Sequence, residues 1–231
     1  METSKDQMQK LKLAVLVSGS GTNLQSLIDA QKEGYFNSEI VLVVSNKASA
    51  YGLTRAENAG IKALVIKSDK ELLDTLLENE IDLIVLAGYL KVISPELINA
   101  YENKIINIHP SLLPEYGGHG MYGLHVHEKV FADKKDQTGA TVHYVTAEVD
   151  EGPIIIQKKL IVEYDVIKSP EELQRAVLII EHEILKEAIK IKTTDKFVDM
   201  EIDEEKHQEH IAYQLEHYYT KIEDENIIVS F

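Results

Sequence analysis

Asn107 and His109 form the pair of side chains in this sequence best suited to chemistry. They lie in "NIHPSLLP", directly after a short apolar run. In an extended strand, residues two apart face the same way. An amide and an imidazole therefore project together where the run ends. The amide can donate to a carbonyl oxygen that becomes an oxyanion, and the imidazole can move a proton. A carboxylate nearby would favour the imidazolium and raise its pKa. The candidates are Glu148, Asp150 and Glu151, around the turn "DEGP". Spacing alone does not choose among them.

The same stretch holds His119, His125 and His127, in a chain with nine histidines. His125 and His127 would supply two metal ligands if extended. Zinc sites usually want a third ligand and carboxylate support, and no HExxH is present. No metal is expected, and His119, His125 and His127 read as polar residues of a loop and of a helix start before Glu128–Ala132. His143 falls in an alternating segment, where a hydrogen-bonded core or surface histidine is expected.

A second chemical feature is the glycine-rich "VSGSGTNLQSL", Val17–Leu27. Small residues between a strand and a helix let backbone N–H groups and the helix N-terminus face an anion. It is neither a Walker A loop nor a dinucleotide fingerprint, because it lacks GK[ST] and places Leu24 at the third glycine position. The alternative is a tight turn in which Thr22 or Asn23 merely caps the helix.

These residues need a scaffold. Apolar runs at Leu11–Val17, Ile40–Val44, Ala63–Ile66, Leu83–Ala87 and Ile105–Ile108 alternate with helical patterns at Leu24–Lys32, Tyr51–Ala59, Lys70–Asn79 and Pro95–Tyr101. Uniformly apolar strands alternating with helices predict an α/β fold with a Rossmann-like, doubly wound, mostly parallel sheet. Thr138–Val145 and Ile154–Val162, separated by DEGP, predict an antiparallel hairpin-like addition. A long helix follows near Pro170–Ile191, and the chain then turns polar and acidic before ending in "NIIVSF". That ending reads as an edge strand or an interface segment.

At 231 residues the chain suits one domain, with a core over 11–191 and an acidic extension over 192–231. It has no cysteine, which excludes disulfides and thiolate chemistry. A net charge of −15 argues against a nucleic-acid partner. No apolar run approaches a membrane span, and the N-terminus lacks a signal-peptide pattern. A cytoplasmic protein is expected.

Five stretches together resemble the phosphoribosylglycinamide formyltransferases, folate-dependent enzymes of purine synthesis. They are VSGSGTNLQSL, VSNK (Val44–Lys47), LAGYLKVISP (Leu86–Pro95), INIHPSLLPEY (Ile106–Tyr116) and TGATVHYVTAEVDEGPIIIQ (Thr138–Gln157). The resemblance implies the formyltransferase fold. It implies a catalytic trio of Asn107, His109 and Asp150, so it selects Asp150 over its acidic neighbours. It matches Gly21, Thr22 and Asn23 to the substrate-phosphate site, Glu181 to a ribotide contact, and Leu90, Lys91, Val92 and Ile93, with Asn107, to the folate side. The implied reaction carries a formyl group from 10-formyltetrahydrofolate, a co-substrate, to the amine of glycinamide ribonucleotide. Asn107 and protonated His109 would stabilise the oxyanion while Asp150 holds the imidazolium. No tightly bound cofactor or metal is implied, and the protein would act as a monomer or homodimer.

Two features depart from the resemblance. The stretch "GGHGMYG", Gly117–Gly123, is longer than a short-loop relative would carry, and "KSDKEL", Lys67–Leu72, is brief, with Lys70 its candidate folate-side cation. A formyl-methionyl-tRNA transferase would share SLLP and the trio but calls for a basic tRNA surface and a further C-terminal domain. A formyltetrahydrofolate hydrolase would add an N-terminal regulatory domain. A binding module without catalysis gives no reason for Asn107, His109 and Asp150 to converge.

Overall fold

The computed structural model of the chain describes residues 10–195. The chain divides after Ile105 into two compact units. The acidic segment past residue 195, with its NIIVSF ending, lies outside the described residues.

The first unit alternates strand and helix: β1 (Leu11–Val17), α1 (Thr22–Lys32), β2 (Ser38–Ser45), α2 (Tyr51–Asn58), β3 (Lys62–Val65), α3 (Asp69–Glu78), β4 (Leu83–Leu86) and α4 (Pro95–Ala100). Its strands pair in parallel in the order β3-β2-β1-β4. The central β1 is buried, with Leu13, Ala14, Val15, Leu16 and Val17 fully enclosed. Each such leucine or valine contributes roughly 1.5–3 kcal/mol through removal from water. The border strand β3 is less apolar, and its Val65 is exposed. Ser68 and Ser94 cap α3 and α4, accepting from the backbone N–H of Glu71 and Leu97. Val17 stands opposite Ser45, and Leu16 opposite Leu86. The loops leaving β1, β2 and β4 therefore emerge at one carboxyl-end edge, where open α/β sheets place ligands.

The second unit contains most of β5 (Ile105–His109), then α5 (Leu124–Ala132), β6 (Gln137–Tyr144), β7 (Ile154–Ile161) and α6 (Pro170–Asp195). β6 pairs antiparallel with both β5 and β7. The predicted hairpin is present, and the antiparallel pairing extends to β5. Helix α6 packs on β6 and β7 through an inner face that includes Leu173, Val177, Ile184 and Leu185. Lys158, buried beneath α6, is held by both carboxylate oxygens of Glu183 at 2.6 Å. Such a fork compensates a desolvation that an isolated ammonium could not bear. At Gly152 an added Cβ would overlap the Tyr144 carbonyl oxygen, so the turn between β6 and β7 closes only with glycine there. No helix among the described residues is long and apolar enough to cross a membrane.

Candidate active site

The second unit brings Asn107, His109 and Asp150 together. Antiparallel register sets Asn107 opposite His143 and His109 opposite Thr141. After His109 the chain turns sharply, and Thr141 holds the turn. Its hydroxyl donates to Ser111 O at 2.6 Å and accepts from Leu113 N at 3.2 Å, while Gln157 Nε2 donates to it at 2.8 Å. The Leu113–Pro114 peptide is cis. Asp150 takes a left-handed conformation, φ 60°, which aspartate tolerates better than most side chains. This returns its carboxylate to the strand ends, with Oδ2 3.4 Å from His109 Nδ1.

His109 is 4% exposed, and acceptors face both ring nitrogens. Its Nε2 lies 2.8 Å from Tyr116 O, and a carbonyl only accepts, so Nε2 carries a proton. Nδ1 faces the Asp150 carboxylate. Burial lowers the ring's pKa, the carboxylate and the Tyr116 carbonyl raise it, and His143 lowers it again. The net position is below the ordinary 6.5. The upward shift expected from a carboxylate alone is thus overturned by desolvation: unliganded, His109 is neutral near pH 7, with a carboxylate waiting at the nitrogen that would take a further proton.

Asp150 remains ionised. Burial pushes its carboxyl up, but the neighbouring rings of His143 and His109 and the Gly118 N–H together hold it below the usual carboxylate value. The Gly118 N–H donates to Oδ2 at 2.9 Å. His143 Nε2 lies 3.6 Å from Oδ1, a polar contact longer than a hydrogen bond.

His143 is the member of this site that the sequence did not reveal. It is 2% exposed, with Nδ1 2.8 Å from Tyr144 O and Nε2 3.0 Å from Asn107 Nδ2. The Tyr144 carbonyl places the proton on Nδ1, so Nε2 accepts from the asparagine amide. Alternation alone marked His143 as inward or outward; only the β5–β6 register pairs it with Asn107.

The loop GGHGMYG also enters the site. Tyr116 O and Gly118 N hold His109 and Asp150 respectively. At Gly117 a Cβ would stand 2.5 Å from Leu113 Cδ2 and 3.3 Å from Asp150 Cβ, so backbone passes where a side chain could not.

The other histidines separate. Helix α5 begins at Leu124, earlier than expected, so His125 and His127 are roughly 200° apart around it rather than on one side of a strand. His125 is exposed and pairs with Glu128 at 2.9 Å. His127 lies within α5 and is buried rather than a polar residue at a helix start, and its Nδ1 has no hydrogen-bond partner among the described residues. Burial, with a contribution from His109, lowers its pKa to about 4. Among the described residues no group of three or more His, Asp or Glu is placed to hold a metal ion.

In the first unit, Gly21 (φ 71°) is the N-cap of α1, and no side chain caps the helix. The alternative in which Thr22 or Asn23 is merely a cap therefore does not describe this turn. Three of the five resembling stretches meet at Ser18. Its hydroxyl donates to Asn46 Oδ1 at 2.6 Å and accepts from Leu90 N at 2.9 Å. Of the Leu90–Ile93 segment, Leu90 and Val92 are exposed and Ile93 is buried. Lys91 Nζ donates to Lys67 O at 2.8 Å and pairs with Asp69 at 2.5 Å. In α6, Glu181 is a buried carboxylate.

The family model for formyl transferases matches residues 11–189. A chloroplastic phosphoribosylglycinamide formyltransferase from Vigna unguiculata is 38% identical over 200 residues, covering 83% of this chain and 64% of that protein, so the chain spans less than two thirds of its length. The phosphoribosylglycinamide formyltransferase of Haemophilus influenzae is 43% identical over 158 residues, 64% of this chain and 72% of that protein. The crystal structure of glycinamide ribonucleotide transformylase 1 from Symbiobacterium toebii superposes with a TM-score of 0.77 at 38% identity, covering 84% of this chain and 92% of that one. With the family pattern running through nearly all of the described residues and the fold shared, this chain belongs to the formyl transferase family, among the phosphoribosylglycinamide formyltransferases.

Proposed function

We propose that the chain transfers the formyl group of 10-formyltetrahydrofolate to the amine of 5'-phosphoribosylglycinamide, a step of purine synthesis. The observation that carries this reading is the meeting of Asn107, His109 and Asp150 in a chain of this family. The amine attacks the formyl carbon, and the carbonyl π electrons move to oxygen. Asn107 donates an amide N–H to that oxyanion. With the Tyr116 carbonyl drawn away and the ring proton moved to Nδ1 beside Asp150, Nε2 of neutral His109 takes the proton that the attacking nitrogen must lose. The Asp150 carboxylate stabilises the imidazolium, and the proton passes to N10 as the C–N10 bond breaks. Substrate reaches Nε2 where the Tyr116 carbonyl, its partner in the unliganded site, yields its place. As written, the reaction uses no metal and no covalent enzyme intermediate.

The remaining roles follow the family resemblance. Gly21, Thr22 and Asn23 hold the ribotide phosphate, Glu181 contacts the ribotide, and Leu90, Lys91, Val92 and Ile93 line the folate side. Residues 11–191 act as one formyltransferase domain carrying the acidic extension. The protein works in the cytoplasm as a monomer or homodimer, without membrane or nucleic-acid partners, a reading supported by its acidic balance.

The test is a transfer assay with glycinamide ribonucleotide and 10-formyltetrahydrofolate. Formylated ribotide should appear in step with deformylated folate. Loss of formyl to water, or no turnover, would overturn the assignment.

A further inference from the structure

The glycine-rich loop contains no lysine, in a chain of net charge −15. Arg55, on α2, brings a cation to it. Its Nε donates to Ser20 O at 2.8 Å and its Nη1 to Gln25 Oε1 at 3.1 Å. The guanidinium stands over the Tyr51 ring, 5.0 Å from the centroid. Helix α2 is itself seated on the loop, because Gly52 N–H donates to Gly19 O at 3.1 Å. At Gly21 a Cβ would lie 2.6 Å from Gly52 Cα and 3.4 Å from Arg55 Cδ. Arg55 therefore runs across the residue that opens α1, a helix with no side-chain cap.

The carbonyl that Arg55 engages shares a peptide with the Gly21 N–H. A cation on the oxygen draws density through the peptide and makes that N–H a stronger donor. The same charge adds to the positive end of the α1 dipole. A lysine could carry the charge, but it could not keep two fixed bonds and a stacked plane.

We propose that Arg55 is a positioning residue for the substrate phosphate: through Ser20 and Gln25 it fixes the loop that opens α1, and it polarises the Ser20–Gly21 peptide toward the anion. This rests on the loop being the phosphate subsite of the reaction above.

The test compares Arg55→Gln and Arg55→Lys with Lys62→Gln, which removes a surface charge that donates to Asn79 Oδ1 at 3.1 Å. Steady-state rates are read with each substrate varied, and binding of inorganic phosphate is measured by calorimetry without either substrate. Arg55→Gln should raise the ribotide KM roughly 10- to 100-fold, the equivalent of one charge-assisted hydrogen bond. It should weaken phosphate by a similar factor, with kcat and the folate KM within about two-fold. Arg55→Lys should recover part of the loss, and Lys62→Gln should resemble the parent. An unchanged ribotide KM in Arg55→Gln overturns the proposal. So does an equal rise in both KM values with a lowered Tm, which would make Arg55 a structural staple only. If Arg55→Gln does not fold, the same KM split in Arg55→Lys decides. If the parent transfers no formyl group yet loses phosphate binding in Arg55→Gln, the functional reading fails and the role of Arg55 stands.

Discussion

The asparagine and histidine that face each other across β5 and β6 are hydrogen-bonded: Asn107 Nδ2 lies 3.0 Å from His143 Nε2. Because Tyr144 O takes the His143 Nδ1 proton at 2.8 Å, Nε2 offers only a lone pair. That lone pair decides which way round the Asn107 amide sits, and so where its second N–H points.

His143→Phe removes the acceptor while keeping a buried ring. It should lower kcat roughly 10- to 100-fold, the cost of about 1–3 kcal/mol for a lost buried hydrogen bond. Combined with Asn107→Ala, it should add little beyond Asn107→Ala alone, because both act through one amide. Additive losses in the double variant would show that His143 works elsewhere.

His109→Ala and Asp150→Asn should each lower turnover by roughly 10²–10⁴, the range for a positioned acid–base group. His119→Ala and His125→Ala should leave it within about two-fold. Equal losses in all four, or inactivation by a chelator, would point to a metal centre. His109 has a pKa below 6.5 in which the Asp150 charge is a raising influence. Asp150→Asn removes that influence, so the acid limb of the residual kcat/KM profile should move to lower pH. A limb that moves upward contradicts this assignment.

His127 makes stability depend on acidity. Its native pKa is about 4, against 6.5 ordinarily. Between those values the unfolded chain takes a proton that the native protein refuses. The stability contribution is complete above about pH 6.5 and is lost as pH falls to about 4, by roughly 3 kcal/mol. His109, shifted the same way, acts in the same direction. His127→Leu should flatten the Tm–pH curve over this window. Parallel curves for variant and parent would refute it.

Gly117→Ala forces a methyl group against Leu113 and Asp150. Overpacking of this kind costs about 1–3 kcal/mol. Displacing Asp150 should in addition reduce kcat by more than the stability loss explains, measured at a temperature where the variant is fully folded. An unaltered kcat there would mean that the loop accommodates a side chain.

The parts legible in the sequence were those set by local pattern. The apolar runs located β1 to β5, the segments flanking DEGP located β6 and β7, and period-two spacing paired Asn107 with His109. Asp150 could be chosen over Glu148 and Glu151 only through resemblance, since what distinguishes it is a left-handed backbone and a bond from Gly118, thirty-two positions away. His143 was hidden because its function depends on cross-strand register. The protonation of His109 was misjudged because a carboxylate can be inferred from sequence, whereas the degree of desolvation cannot. The helix that contains His127 starts three residues ahead of it, which the sequence did not show because Gly123, rather than a polar cap, starts α5.

Ser18 has a consequence for how the two substrates sense one another. One hydroxyl oxygen holds Asn46 and Leu90, so the loop assigned to phosphate and the segment assigned to folate share a single fastening atom. Any free energy by which ordering of one segment favours the other must be returned in equal measure. Ribotide and folate should therefore alter each other's dissociation constants by the same factor. Ser18→Ala should bring that factor toward one, which calorimetric titration of each substrate with and without the other will measure.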